Sequence, residues 1–283
     1  MTTKLDATVI AANTRAMESA LDLADSLTPE TVLKIRRALM AGESDHTPGV
    51  WRVEPVWIGK SGLSPIGATY VAPRFESVPD LMDDVMAFAR RDDVPRLVQA
   101  AITHAQFETI HPFTDGNGRT GRALIQAMLR GKGLTRNVTI PVSAGLLADT
   151  RSYHESLTSY RQGDIEPLVR LTAEASLLAA DNARQLVADV RHVQEGWRTK
   201  VKARSDSSVW RVLDLIARQP VIDADAVAKH LGVAPTNVYG HLKTLSDAGV
   251  LQPKAEHKLG TFWRSDEILA TLDEFAIRAG RRG

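Results

Sequence analysis

Residues 110–122 read Ile-His-Pro-Phe-Thr-Asp-Gly-Asn-Gly-Arg-Thr-Gly-Arg, and apolar residues recur at helical spacing on both sides of them. Before the segment come Leu97, Val98, Ala101, His104 and Ala105; after it come Ala123, Leu124, Ala127 and Met128. A chain built this way must pack two helices across a glycine-rich turn. The glycines let the backbone approach a ligand closely, and the second helix opens with free amide groups and a dipole that favour an anion. The segment therefore predicts a phosphate cradle between two core helices.

The remainder of the chain predicts mostly helix. Leu23, Leu27, Val32, Leu33, Ile35 and Leu39 keep helical spacing, broken by Thr28-Pro29, an N-cap followed by a first-turn proline; two helices begin the chain. Between Gly42 and Pro79 prolines and glycines interrupt the β-formers Val50-Trp51-Arg52-Val53 and Thr69-Tyr70-Val71, so loop and short hairpin are expected. Leu81, Met82, Val85 and Met86 resume the helical pattern. Further helices are expected over Tyr153–Arg161 and from about Ile165 to Lys202, with the last basic turns solvated. Ser205-Asp206-Ser207-Ser208 is a polar break, which divides the chain into residues 1–204 and 205–283.

Composition removes several function classes. There is no cysteine, which excludes disulfides, thiolate nucleophiles and iron–sulfur clusters and leaves any metal to oxygen or imidazole. No run is long and apolar enough for a bilayer span and no signal-peptide core opens the chain, so a cytoplasmic protein without a membrane partner is expected. The net charge of +1 gives no global attraction to nucleic acid.

Within the loop each residue type suits one part of a phosphoryl or nucleotidyl transfer. Arg119 and Arg122 lie one turn apart at the start of the second helix, where guanidinium groups on one face can clamp phosphate oxygens. Asp115 is a hard oxygen ligand of the kind magnesium uses when phosphates and water complete its shell. His111 is the group whose ordinary pKa is near neutrality, and so the candidate base for an attacking hydroxyl. A P-loop lysine is missing, which argues against an ordinary NTPase. His104, on the apolar face of the preceding helix, reads as a core histidine. Glu108 reads equally as a loop-orienting carboxylate or a helix-surface one.

This loop resembles the signature of the Fic family, His-Pro-Phe-x-Asp-Gly-Asn-Gly-Arg-x-x-Arg, at every specified position. Trp57-Ile58-Gly59, Ala68 to Pro73 and His104 to Glu108 are similar to the segments around it, so the resemblance covers roughly residues 10 to 180. It implies an all-α Fic domain with a short β-hairpin flap and transfer of AMP from ATP to a Ser, Thr or Tyr hydroxyl of a target protein or of the chain itself. By that likeness His111 is the base, Phe113 anchors the loop, and Asp115 binds Mg2+ between the α- and β-phosphates. Gly116, Asn117 and Gly118 line the anion hole, and Arg119 and Arg122 hold the distal phosphates. Pro65 to Pro73 is the flap that aligns an extended target segment, and Tyr153 is a candidate contact to the base. Many members carry an inhibitory Ser/Thr-x-x-x-Glu-Gly/Asn helix opposing the second arginine. Here the nearest match, Thr14 to Glu18, is followed by Ser19, and its spacing to Trp57 is that of the helix after the inhibitory one. The expectation is an unopposed Arg122 and constitutive activity.

Residues 209–263 read as helix, then Asp223 to His230, a Leu231-Gly232-Val233 turn, a helix Pro235 to Ala248, and two strands, 249–251 and 261–263, around a Glu256 to Gly260 tip. That order resembles a winged helix-turn-helix, with Thr236, Asn237, Tyr239, His241 and Lys243 as candidate DNA contacts. Lys and Arg are balanced one for one by Asp and Glu over residues 206–283, so protein docking or homodimer formation stands beside DNA binding. Two rival readings remain at this level: transfer of another phosphate-containing group, and a transcriptional regulator whose Fic-like domain senses nucleotide.

Overall fold

The computed structural model describes residues 14, 16–41, 49–59, 64–135, 142, 145–146, 149–256 and 260–280. Arg15 of the Thr14–Glu18 stretch, the hairpin-tip residues 257–259 and the terminal Arg281 and Arg282 lie outside them. The chain gathers into two compact units, Met1–Ala179 and Ala180–Gly283, each with its own apolar core.

The first unit is built on helices α1 (residues 16–22), α2 (Pro29–Leu39), α3 (Val78–Arg90), α4 (Arg96–Ile110), α5 (Asn117–Gly131) and α6 (Thr150–Arg161). Helix α7 (Glu166–Lys200) supplies residues to both units. Thr28 caps α2 reciprocally with Thr31, and Pro29 occupies its first turn. The centre of this unit is α5, whose residues 123–129 are all buried, with α4 and α2 packed along it. Gly121 makes the α4–α5 approach feasible. A Cβ there would stand 2.8 Å from Glu108 Oε1 and 3.0 Å from the Phe107 ring.

A two-stranded antiparallel hairpin, β1 (Trp57–Ile58) and β2 (Tyr70–Val71), pairs Ile58 with Tyr70. This mostly helical unit with a small hairpin is the architecture the sequence predicts. The β-formers Val50 to Val53 make no ladder. Instead Trp51 stacks on Phe113 at 5.3 Å and the Arg52 amide donates to the Pro112 carbonyl at 2.9 Å, so this segment bonds to the loop rather than to a strand.

The second unit contains α8 (Val209–Arg218), β3 (Val221–Ile222), α9 (Ala224–Leu231), a 3-10 turn (Pro235–Asn237), α10 (Tyr239–Asp247), β4 (Gln252–Glu256), β5 (Gly260–Arg264) and α11 (Asp266–Arg278). Its sheet has the order β3-β5-β4, antiparallel throughout. Asp223 caps α9 through the Ala226 amide, and Gly232, at φ +73, ends it in the left-handed conformation.

Two local expectations differ from the structure. The helix expected from Pro235 starts at Tyr239, because residues 235–237 wind the tighter 3-10 turn. The strand expected at 249–251 begins at Gln252: the amides of Val250 and Leu251 both donate to the Leu245 carbonyl, closing α10, and both side chains are buried. The end of α7 is solvated on its basic face, where Arg198 and Lys200 are exposed as expected, and packed on the other. Trp197 is fully buried with its indole N–H on Glu267 Oε2 at 2.7 Å, and Lys200 pairs with the same carboxylate at 2.7 Å.

Candidate active site

Helix α4 ends at His111, whose φ of 49 and ψ of 61 make it the one non-glycine residue with positive φ among those described. The left-handed conformation costs a side-chain-bearing residue on the order of 1–2 kcal/mol, so the surroundings must hold it. Arg52 does this: only 4% exposed, it donates Nε to the His111 carbonyl at 2.9 Å, Nη1 to the Glu54 backbone carbonyl at 3.0 Å and Nη2 to the Ile110 carbonyl at 3.4 Å. Nη2 also reaches the Pro73 carbonyl, joining the loop to the chain just past β2. With the Nδ1–H tautomer, the imidazole donates to the Glu108 carbonyl at 3.3 Å, which leaves Nε2 as a base. Burial, foremost, and the charges of Arg52 and Arg161 lower its pKa, against the Glu108 carbonyl and Asp115, which raise it. His111 is therefore neutral, as a base must be, at neutral pH.

Phe113 is 2% exposed, between Trp51 and Phe107, with the Arg36 guanidinium 5.2 Å from its ring centre. Arg36, from α2, donates Nε to the Asp115 carbonyl at 3.0 Å. The Asn117 side chain is spent inside the loop: Oδ1 accepts from the Phe113 amide at 2.9 Å and Nδ2 donates to its carbonyl at 2.7 Å. With its side chain tied to Phe113, Asn117 would meet an anion chiefly through its backbone. Gly116 is the N-cap of α5, at φ +78, and as a glycine it has no side chain to cap that end, which suits the first-turn amides to an anion. A Cβ at Gly118 would stand 3.0 Å from Arg122 Nη1, so this glycine lets the guanidinium lie along the first turn.

Arg119 pairs with Asp115 at 3.1 Å, both partly exposed. Arg122 is turned inward, and its charge acts on His104, Glu108 and Tyr153. Tyr153, expected near a nucleotide base, is 5% exposed with its hydroxyl 2.7 Å from His104 Nε2 and its ring stacked on that imidazole; it is a packing residue whose ring is not an open platform. Burial raises its pKa further.

Glu108 is a buried carboxyl and not a surface one. It is 7% exposed, and burial, only partly offset by Arg122 and Arg161, pushes it up to about 7. His104 is 1% exposed and is pushed down to about 4, by burial first and then by Arg122. Glu108 Oε1 and His104 Nδ1 are buried without a hydrogen-bond partner of good geometry among the described residues, and both lie against Gly121.

Arg36, Arg52, Tyr70 and Arg161 were not singled out from the sequence. A lone arginine in a helix or loop reads as surface, and only the fold shows these ones turned toward the loop. Among the described residues no cluster of three or more His, Asp or Glu could hold a metal ion, and no helix is long and apolar enough to cross a membrane. A single partly exposed carboxylate, Asp115, at the mouth of an anion cradle is compatible with a magnesium ion held chiefly by phosphates and water.

A glycine-capped helix N-terminus thus stands beside a neutral imidazole. Residues 26–129 match the family model described as Fic/DOC family. Similar curated proteins include protein adenylyltransferase fic-1 of Caenorhabditis elegans, 29% identical over 153 residues, covering 54% of this chain and 28% of that one. The fic-1 protein of Caenorhabditis briggsae is 32% identical over 148 residues, 52% of this chain and 27% of the relative. A probable protein adenylyltransferase, aq_aa38 of Aquifex aeolicus, is 36% identical over 94 residues, 30% of this chain and 29% of that one. The chain thus spans well under half the length of these relatives. The crystal structure of a Fic family protein from Desulfovibrio desulfuricans G20 shares the fold, with a TM-score of 0.57 at 21% identity, covering 94% of this chain and 76% of that one.

Proposed function

We propose that the first unit transfers AMP from ATP to a hydroxyl of a target protein or of the chain itself. The observation that carries this reading is the neutral imidazole of His111, held by Arg52 and the Glu108 carbonyl beside the glycine-capped N-terminus of α5. The amides of Asn117 and Gly118 and the Arg122 guanidinium receive phosphate oxygens, while Arg119 leaves Asp115 for the distal phosphates. Asp115 would hold a magnesium ion, which when bound would supply charge neutralisation at the leaving group. The target oxygen bonds to the α-phosphorus as its proton passes to His111 Nε2, and the bond to the β-phosphate oxygen breaks, releasing pyrophosphate. Incubation with ATP labelled at the α-phosphate, beside His111→Ala, tests this: label must enter protein with the wild type and not with the variant.

The order α8, β3, α9, α10, β4, β5 supports reading the second unit as a winged helix-turn-helix. Thr236, Asn237, Tyr239 and Lys243 are exposed and His241 is half-buried, while Lys243 pairs with Asp247 at 2.7 Å. A gel-shift assay whose affinity falls steeply with salt and drops on Lys243→Ala supports DNA as its partner, and unchanged mobility at low salt rejects it.

A further inference from the structure

Arg161, at the end of α6, is a cation of the site that the transfer mechanism leaves unused. Its guanidinium carbon lies 3.8 Å from the centre of the Tyr70 ring, and the Tyr70 hydroxyl donates to the Thr109 carbonyl at 2.7 Å, two residues before His111. Flap, base and cation are thereby joined in one place. Among the described residues no carboxylate stands within ion-pair distance of Arg161, and its buried Nε has no hydrogen-bond partner. The acid whose charge reaches it is Glu108, a buried carboxyl that is close to half-protonated at neutral pH. A half-buried guanidinium so weakly neutralised is an unfavourable arrangement that a carboxylate ligand would relieve.

The flap offers a route for that carboxylate. The β1–β2 hairpin forms a sheet of its own, and Ile58 and Val71 are exposed on it, so its edges are open to an extended segment. Along such a segment side chains on one face recur every second residue, about 7 Å apart. A hydroxyl delivered to His111 therefore brings the side chain two residues away to the Tyr70–Arg161 pair. Stacking on the ring fixes the plane of the guanidinium fork, which suits it to bidentate carboxylate recognition.

We propose that Arg161 is a specificity residue that receives an Asp or Glu side chain two residues from the modified hydroxyl, so that the targets are acidic segments. This inference rests on the AMP-transfer reading. The test uses the full chain with magnesium, ATP labelled at the α-phosphate, and peptides carrying one Thr flanked two residues away by Glu, Ala or Lys, together with mapped modification sites in lysate. Glu-flanked peptides are expected to exceed Lys-flanked ones by about tenfold, mainly in KM, the size of one charge-assisted contact. Arg161→Glu inverts the order while labelling persists. Arg161→Lys keeps the preference and Arg161→Gln loses it, which decides the matter should the Glu variant fail to fold. If the peptides are too short to be labelled, acidic context at the lysate sites supports the inference and its absence overturns it. Equal losses on all peptides in every Arg161 variant, or no acidic preference in the wild type, also overturn it. No labelling of any protein would instead refute AMP transfer, and this inference with it.

Discussion

Replacing Glu108 by Gln isolates the energetic consequence of placing a carboxyl beneath the His111–Arg122 loop. Its pKa is raised from 4.5 to about 7, chiefly by burial. A raised acid favours the protonated folded state, so its contribution to stability is complete below 4.5 and is lost as pH climbs through 7. At about 1.4 kcal/mol per pH unit, the difference amounts to about 3 kcal/mol between pH 4 and pH 8.5. Gln cannot ionise and keeps nearly the same shape, so Glu108→Gln should match the wild type at pH 4 and exceed it by about 2–3 kcal/mol at pH 8.5. His104 slopes the other way: its pKa, lowered to about 4, gives stability present above 6.5 and lost as pH falls through 4. That contribution is common to both proteins and largely cancels in the comparison. Urea unfolding of the two proteins across this range, followed by tryptophan fluorescence, reads the difference directly. A difference that stays constant within about 0.5 kcal/mol would show Glu108 titrating as an ordinary carboxylate and would refute the reasoning.

Other consequences can be measured as readily. Asn117→Ala removes both bonds that close the loop on Phe113, and should lower stability by about 1–3 kcal/mol and reduce kcat, as thermal melting and turnover would show. Gly121→Ala places a methyl against Glu108 Oε1 and Phe107; a destabilisation of about 1–3 kcal/mol is expected, and an unchanged melting temperature would contradict the close α4–α5 approach. Because the His111 pKa lies below its ordinary 6.5, the pH profile of kcat/KM should rise through a midpoint below 6.5 and then level. Arg161→Gln should move that midpoint upward by removing a cation, and no movement would deny the two groups their electrostatic contact.

The legible part of this molecule is what local sequence controls. Thr28-Pro29 announced the start of α2, the apolar spacing gave α3 to α5, and the glycines at 116 and 118 marked where backbone and ligand would meet. The Fic likeness pointed to the loop, but the supports of that loop could not be read. Arg52, Arg36 and Arg161 lie 59, 75 and 50 positions from His111 in sequence, and they act through carbonyl oxygens and ring faces that leave no pattern in spacing. Asn117 was legible as a motif residue while its task was not, since only the folded loop shows its amide closing on Phe113. In the second unit the order of α8, α9, α10 and the β4–β5 hairpin was readable, while β3 and α11 were not. The start of β4 at Gln252 was obscured because Val250 and Leu251, both β-formers, are buried as a helix terminator instead.

The measurement that bears most directly on this account is the intact mass of the protein and of lysate targets after incubation with magnesium and ATP, with His111→Ala and Arg122→Ala in parallel. The account predicts a protein-bound AMP mass with the wild type, none with His111→Ala and a strongly reduced amount with Arg122→Ala. An equal AMP mass with His111→Ala, or none with the wild type on any protein, would contradict it.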